Sequence, residues 1–193
     1  MMSSERGRQA VVNRAADLAS MVGLEGLTFG SLASETGYAR SGVSSMFTTK
    51  QELQIATIAA AENIFMNGVF RDAAIEEPGL QRLTDILDRW LDYLGYFQGG
   101  CFFAAAVAQN QGLTPVREAL IAAIGRIRDA LIAEIALTQR LGELSSDIAA
   151  PQLAYELHAI IQEANYLCRL DQYDDAIQTA RLVIGRRLAK PRH

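Results

Sequence analysis

Residues 27–53 read LTFGSLASETGYARSGVSSMFTTKQEL, and this stretch decides the fold of the N-terminal part of the chain. Thr28 is a good N-cap for a short helix that ends before Gly37. A tight turn over residues 37–39 then leads into a second short helix at 39–46. Two short helices joined by a turn that contains glycine predict a helix-turn-helix.

The second of these helices has one polar face and one apolar face. Val43, Met46 and Phe47 are placed to anchor it to a core, which leaves the polar side chains free to approach phosphates and base edges. That polar set consists of Arg40, Ser41, Ser44 and Ser45. From spacing alone, a hairpin that reads DNA and an ordinary helical hairpin both remain open.

The same region also resembles the DNA-binding part of the TetR family of regulators, over about residues 8–55. The resemblance rests on Gly23 before Leu27-Thr28, Leu32-Ala33, Gly37, Val43, Phe47, and Lys50 followed by Glu52 and Leu53. It implies that six residues face DNA: Thr28, Arg40, Ser41, Ser44, Ser45 and Lys50. Ser44 departs from the family, which usually has a phosphate-contacting tyrosine there. Thr28 and Lys50 lie at helix N-termini, where backbone N–H groups favour phosphate.

Apolar periodicity and breaker residues predict an all-α chain of about nine helices without strands. The predicted helices cover about residues 9–21, 29–36, 39–46, 50–70, 80–97, 102–109, 115–140, 147–170 and 174–189. We expect a three-helix DNA-binding head at residues 1–55 and a helical bundle for ligand binding and dimerisation at residues 56–193.

Composition excludes several classes of protein. The net charge is −4, and residues 1–55 hold five basic and five acidic side chains, so DNA binding must depend on local placement rather than bulk charge. Two cysteines are too few for a disulfide framework or a four-ligand zinc site. The N-terminus has no signal-peptide pattern, and no apolar run is long enough to span a membrane. We therefore expect a cytoplasmic protein.

The TetR resemblance further implies a small-molecule pocket in the C-terminal bundle. Large rings cluster beside the Gly99-Gly100 break, which we interpret as a break that a packed core does not need. The candidate ligand-binding residues are Trp90, Tyr93, Phe97, Phe102, Phe103, Asn110, Arg117, His158 and Gln162. The alternative interpretation is that these rings fill the core.

The resemblance also implies a homodimer, formed through the helices at about 147–170 and 174–189. A two-fold dimer would match palindromic half-sites in double-stranded DNA, one helical turn apart. His158, Gln162, Asn165 and Tyr166 share one helical face, which is either part of this interface or a pocket wall.

These features favour a DNA-binding repressor that a small-molecule effector releases from its operator. An enzyme is disfavoured because the sequence has no glycine-rich phosphate loop, no nucleophile-base arrangement and no clustered carboxylate pair, so we expect no catalytic residue and no cofactor. His158 has no second histidine or cysteine at ligand spacing, so we expect no metal site. A helical interaction module without DNA binding remains the alternative.

Overall fold

The structure is a computed structural model that describes residues 2–109, 114–170 and 175–189. Within these ranges the chain forms nine α-helices and no strand, which confirms the all-α prediction. The helices are α1 (Met2–Gly26), α2 (Phe29–Thr36), α3 (Arg40–Met46), α4 (Lys50–Phe65), α5 (Leu80–Tyr93), α6 (Phe102–Gln109), α7 (Pro115–Arg140), α8 (Ala150–Cys168) and α9 (Ala176–Leu188).

Several helix ends differ from the predicted ones. The helix expected to reach residue 70 stops being α-helical after Phe65 and continues as a π-helical segment, Met66–Arg71. α5 ends at Tyr93 instead of residue 97. α8 begins at Ala150 rather than 147, because Ser145 and Asp147 hydrogen-bond each other in a turn. The expected start of the last helix at residue 174 lies outside the described residues.

The chain divides into two compact units. The first contains Met1–Ile64 and Tyr96–Gly125, and the second contains Phe65–Gly95 and Arg126–His193. The predicted boundary near residue 55, between the DNA-binding head and the C-terminal bundle, stays a prediction.

In the first unit, α1 packs against α2 and α6, and α2 packs against α3. The predicted apolar stripe of α1 is buried in this core, together with anchors from the helices that follow. The buried anchors are Val11, Ala15, Leu27, Leu32, Val43, Phe47 and Leu53. α1 is interrupted at Gly23 (φ 74°, ψ 168°), two residues beyond the predicted helix end at residue 21, and a further turn follows to Gly26.

The loop before α6 approaches the backbone of α1 closely. Gly99 N–H donates a hydrogen bond to Ser20 Oγ at 2.9 Å, and Gln98 N–H donates one to Asp17 Oδ1 at 2.9 Å. A Cβ on Gly99 would overlap the backbone of Ser20 and Met21. The interpretation of this double glycine as unnecessary to a packed core was therefore wrong, since Gly99 allows the close packing.

In the second unit, α5 packs against α8 and α9, and α8 packs against α9. The predicted apolar face of α5 is buried, which leaves its charged face to make ion pairs with other helices. Arg82 pairs with Glu134 of α7 at 2.8 Å. Arg181 of α9 bridges Asp88 and Asp92 of α5, at 3.2 and 2.6 Å.

Candidate nucleic-acid interface

Two local signals delimit α2 as predicted. Ser31 N–H donates to the Thr28 hydroxyl at 2.9 Å, and Thr28 N–H donates to the Ser31 hydroxyl at 3.2 Å, which together form a capping box. Gly37 ends the helix in the left-handed conformation (φ 72°), with its N–H bonded to the Ala33 carbonyl at 3.0 Å. α2 is thereby fixed at both ends, and the chain turns sharply into α3.

α3 presents a polar face to solvent and an apolar face to the core. Arg40, Ser41, Ser44 and Ser45 are exposed, as predicted from the residue pattern. On the opposite side, Val43 is fully buried. The exposed face therefore consists of short hydroxyl side chains and one long cation, which permits close approach to a groove.

The hydroxyls of this face bond within α3. Ser44 Oγ donates to the Ser41 carbonyl at 3.1 Å, and Ser45 Oγ donates to the Gly42 carbonyl at 2.7 Å. Each hydroxyl oxygen keeps lone pairs that can accept from a base or water. At position 44, the short serine side chain stays close to its own helix and has less reach than a tyrosine.

Three helix N-termini meet at one groove beside α3. The groove has a volume of about 470 Å³. It is lined by Leu27, Thr28, Phe29, Gly30, Arg40, Lys50 and Leu53, which belong to the starts of α2, α3 and α4. It thus unites three of the six predicted DNA-facing residues. Unpaired N–H groups at helix N-termini give such a face a positive potential.

Lys50 is engaged by the end of α1, a contact that the sequence analysis missed. Its Nζ donates to the Glu25 carbonyl at 2.5 Å and lies 3.3 Å from Glu25 Oε2. Gln54 holds the same segment, since its Nε2 donates to the Leu24 carbonyl at 2.9 Å and to Glu25 Oε1 at 3.1 Å. Glu25 therefore introduces a carboxylate next to the groove.

Arg8 of α1 fixes the end of α3. Its guanidinium carbon lies 4.7 Å from the centroid of the Phe47 ring, which is a cation–π contact. The same side chain donates to the Met46 carbonyl at 3.5 Å and pairs with Glu52 at 3.5 Å. These contacts bind α3 and the start of α4 to α1.

Arg14 ties α1 to the end of α2. Its guanidinium donates to Glu35 at 2.5 and 3.2 Å and pairs with Asp17 on its own helix. The hydrogen bond to Glu35, together with the negative charges of Glu35 and Asp17, raises the pKa of Arg14. The side chain stays charged in any case, so its role is to hold α2 in register with α1.

Comparison with known families identifies the chain. Residues 79–184, more than half of its length, match the family model described as Tetracyclin repressor-like, C-terminal domain. The chain belongs to the TetR family. It is thus a transcriptional regulator, as the sequence analysis predicted. No curated protein matches it in a sequence search.

Several solved structures share the fold of the chain. A TetR regulator from Chloroflexus aurantiacus is 21% identical, with 95% of this chain and 94% of that chain covered at a TM-score of 0.82. A regulator from Saccharomonospora viridis, solved with choline, is 18% identical over 94% of each chain, with a TM-score of 0.77. AibR, solved with isovaleryl coenzyme A and operator DNA, is 15% identical over 93% of this chain and 96% of that chain, with a TM-score of 0.70.

In the second unit of this TetR chain, two of the predicted ligand residues belong to a buried aromatic cluster. The Phe65 ring lies 4.8 Å from those of Trp90 and Tyr93, in edge-to-face geometry. The imidazole of His158 lies 5.6 Å from the Trp90 ring. The structure therefore places Trp90 and Tyr93 beside Phe65, a ring that the sequence analysis did not single out, and places His158 beside Trp90.

In the first unit, three predicted ligand residues form a second aromatic cluster. The ring centroids of Phe97 and Phe102 are 6.4 Å apart, and those of Phe102 and Phe103 are 5.3 Å apart. All three rings are buried. Arg117 is half-buried near the start of α7, and Asn110 lies outside the described residues.

The predicted polar stripe of α8 is divided between surface and core. His158 is exposed and shares a hydrogen bond of 3.1 Å with Gln162, while desolvation of the part of its ring that faces the protein lowers its pKa. Tyr166 is 60% exposed, whereas Asn165 is 6% exposed. Asn165 therefore belongs to the interior of the second unit and cannot be part of an outer face with Tyr166.

Two further observations concern other kinds of site. Among the described residues, no three side chains of histidine, cysteine, aspartate or glutamate lie together in a way that could hold a metal ion. In the same part of the chain, no helix is long and apolar enough to cross a membrane.

Proposed function

We propose that this TetR-family regulator binds operator DNA with α3 and the adjacent groove. The observation that carries this proposal is the convergence of the N-termini of α2, α3 and α4 at a groove lined by Thr28, Arg40 and Lys50. Phosphate binds favourably at helix N-termini. A short helix with an exposed polar face also fits the major groove of DNA.

The proposed contacts fall into two groups. Thr28 and Lys50 contact phosphates and set the position of the head on the duplex. Arg40 reaches a guanine edge or a phosphate, while the small side chains of Ser41, Ser44 and Ser45 let α3 approach the bases closely.

We also propose that the chain acts as a homodimer through α8 and α9. These helices expose large apolar side chains, among them Tyr155 and Tyr166 on α8 and Leu182 on α9. Burying such a surface against a second copy is favourable. A two-fold dimer presents two copies of α3 to palindromic half-sites about 34 Å apart.

A small-molecule effector is proposed to release the repressor from its operator. AibR, solved with isovaleryl coenzyme A and operator DNA, and the Saccharomonospora viridis regulator, solved with choline, support an effector for a chain of this fold. The cluster around Trp90 and the cluster around Phe102 are the two candidate contact regions, each within its own unit. By linkage, an effector that weakens DNA binding is itself bound more weakly in the presence of DNA.

Two expectations from the sequence complete the proposal. The DNA-binding head comprises residues 1–55, and residues 56–193 carry effector binding and dimerisation. We place the protein in the cytoplasm, where a regulator of this kind has access to the chromosome.

The proposal is tested by selection of DNA from a random duplex library, alongside DNA from upstream of the chain's own gene. The full-length chain is expected to enrich an inverted repeat, and the enriched duplex should compete with bulk DNA at physiological salt. Recovery of no common sequence would support the alternative, a helical interaction module without DNA binding.

A further inference from the structure

The end of α1 places a carboxylate in competition with DNA for Lys50. We propose that Glu25 is an internal competitor for the phosphate that Lys50 binds, and that α6 controls this competition through Gln109 and the kink at Gly23. The inference rests on the proposed DNA binding and adds a regulatory contact to that same site.

A DNA phosphate can displace Glu25 from Lys50 at little cost in stability. The side chains are 46% and 65% exposed, so water reaches both partners. Exposed ion pairs contribute little to stability, which leaves the pair with little structural value. The Lys50 ammonium donates to two oxygens of Glu25, the carbonyl and Oε2. The Glu25 carboxylate both neutralises the charge of Lys50 and repels an incoming phosphate.

The carboxylate is also held in place from a second side. Gln54 is 4% exposed, and its amide donates to Glu25 Oε1 and to the Leu24 carbonyl. Gln54 therefore fixes the position of Glu25 relative to α4. A carboxylate held in this way does not simply turn into solvent when DNA approaches.

The segment that carries Glu25 is set by α6. Gly23 has a left-handed φ of 74°, and the Gln109 carboxamide occupies the place where a Cβ on Gly23 would lie. Gln109 is the last residue of α6, which packs along α1 within the same compact unit.

Through this contact, a movement of α6 can affect the groove that Lys50 lines. A shift of α6 changes the support of the kinked segment and hence the position of Glu25. Because α6 carries Phe102 and Phe103, two candidate effector contacts, an effector bound there would alter the strength of the competition at Lys50.

The test compares DNA affinities at several salt concentrations by fluorescence anisotropy, with the selected duplex and the full-length chain. Glu25→Gln should bind about two- to fivefold more tightly than wild type. Its plot of log K against log salt should be steeper by about 0.9, because Lys50 then neutralises one phosphate fully. In a Lys50→Gln background, Glu25→Gln should have almost no effect.

Glu35→Gln is the matched control, since it removes the same charge from the same unit but from a carboxylate bound to Arg14. Its effect should be the same with and without Lys50. Gln109→Ala should tighten binding about twofold in wild type, through the loosened segment, and should change nothing in the Glu25→Gln background. Thermal melting confirms that each variant is folded.

The outcomes separate the two claims. If wild type selects no specific duplex, the proposed function fails. If wild type binds specifically but Glu25→Gln binds equally or more weakly, or its effect survives the loss of Lys50, only the competition is overturned. An effect of Gln109→Ala that is equal in both backgrounds overturns the control by α6.

Discussion

Arg40 is the one long cation in the sequence of α3, and its side chain is exposed. We expect Arg40→Ala to weaken operator binding by ~1–3 kcal/mol. If Arg40 contacts a base, specificity should relax at one base pair. If it contacts a phosphate, the slope of log K against log salt concentration should be lower by about 1. Stability should change little, because the residue forms no ion pair within the described part of the chain.

Arg40→Lys is the matched control for this prediction. Lysine keeps the charge but loses the planar fork, so it should retain a phosphate contact and lose a bidentate base contact. Binding curves and thermal melts of both variants decide between these cases. Unchanged affinity in a folded Arg40→Ala protein would show that α3 is not the reading helix.

His158 gives the protein an expected pH dependence. Partial burial lowers its pKa in the folded state, whereas the unfolded chain has the ordinary value of about 6.5. As the pH falls below about 6.5, the unfolded state binds a proton first, so the free energy of unfolding decreases. Denaturant unfolding at pH 7.5 and 5.5 should show a smaller decrease for His158→Gln than for wild type.

The other histidine, His193, is present in both proteins and its contribution cancels. Wild type and His158→Gln are measured at the same protein concentration, so that dimerisation contributes equally to the free energy of unfolding of both. If both proteins lose the same stability on acidification, the imidazole ionises alike in the folded and unfolded chains, and the assigned direction is wrong.

The junction between α1 and the loop before α6 depends on Gly99. Gly99→Ala should cost ~1–3 kcal/mol of stability, because the new Cβ overlaps the backbone of Ser20 and forces the loop away. Gly42→Ala is the matched control, since Gly42 lies in α3 with open space around it, and alanine there should be neutral or stabilising. Similar unfolding free energies for the two variants would contradict the close approach.

The helix-turn-helix was predictable because its signals are local. The Thr28 cap and the Gly37 left-handed end each depend on residues within four positions, so the sequence contains the whole interaction. The cap of α4 is equally local, since the Thr49 hydroxyl accepts from Glu52 N–H at 3.1 Å and the Glu52 carboxylate accepts from Thr48 N–H at 2.7 Å.

Contacts between distant residues were not predictable in this way. Lys50 meets Glu25, and Arg14 meets Glu35, only because α1 packs beside the helix-turn-helix. Gly99 was misinterpreted for the same reason, since its partner is Ser20 on a different helix. On α8, periodicity grouped Asn165 with Tyr166, but neighbouring helices decide which of them is buried.

The assembly of two chains is tested by the exposed apolar residues of the second unit. At micromolar concentration, light scattering should give twice the chain mass of 21.1 kDa. Tyr155→Glu and Tyr166→Glu together should shift the mass to that of one chain, because burying the new charges is unfavourable. Ile75→Glu, which changes an 87% exposed side chain outside α8 and α9, should leave the dimer intact.

A mass of about 21 kDa for wild type would exclude the dimer. Dissociation by Ile75→Glu alone would place the interface elsewhere in the chain.

The reading of two half-sites by one dimer is tested most directly by a titration of the selected inverted repeat with the wild-type chain. The same titration is then done with a duplex that carries a five-base-pair insertion between the half-sites. Two copies of α3 held by one dimer read two half-sites on the same face of the duplex, and half a helical turn moves one of them to the opposite face. We expect two chains per repeat and a loss of specific binding after the insertion. Equal affinity for both duplexes, or one chain per duplex, would contradict this expectation.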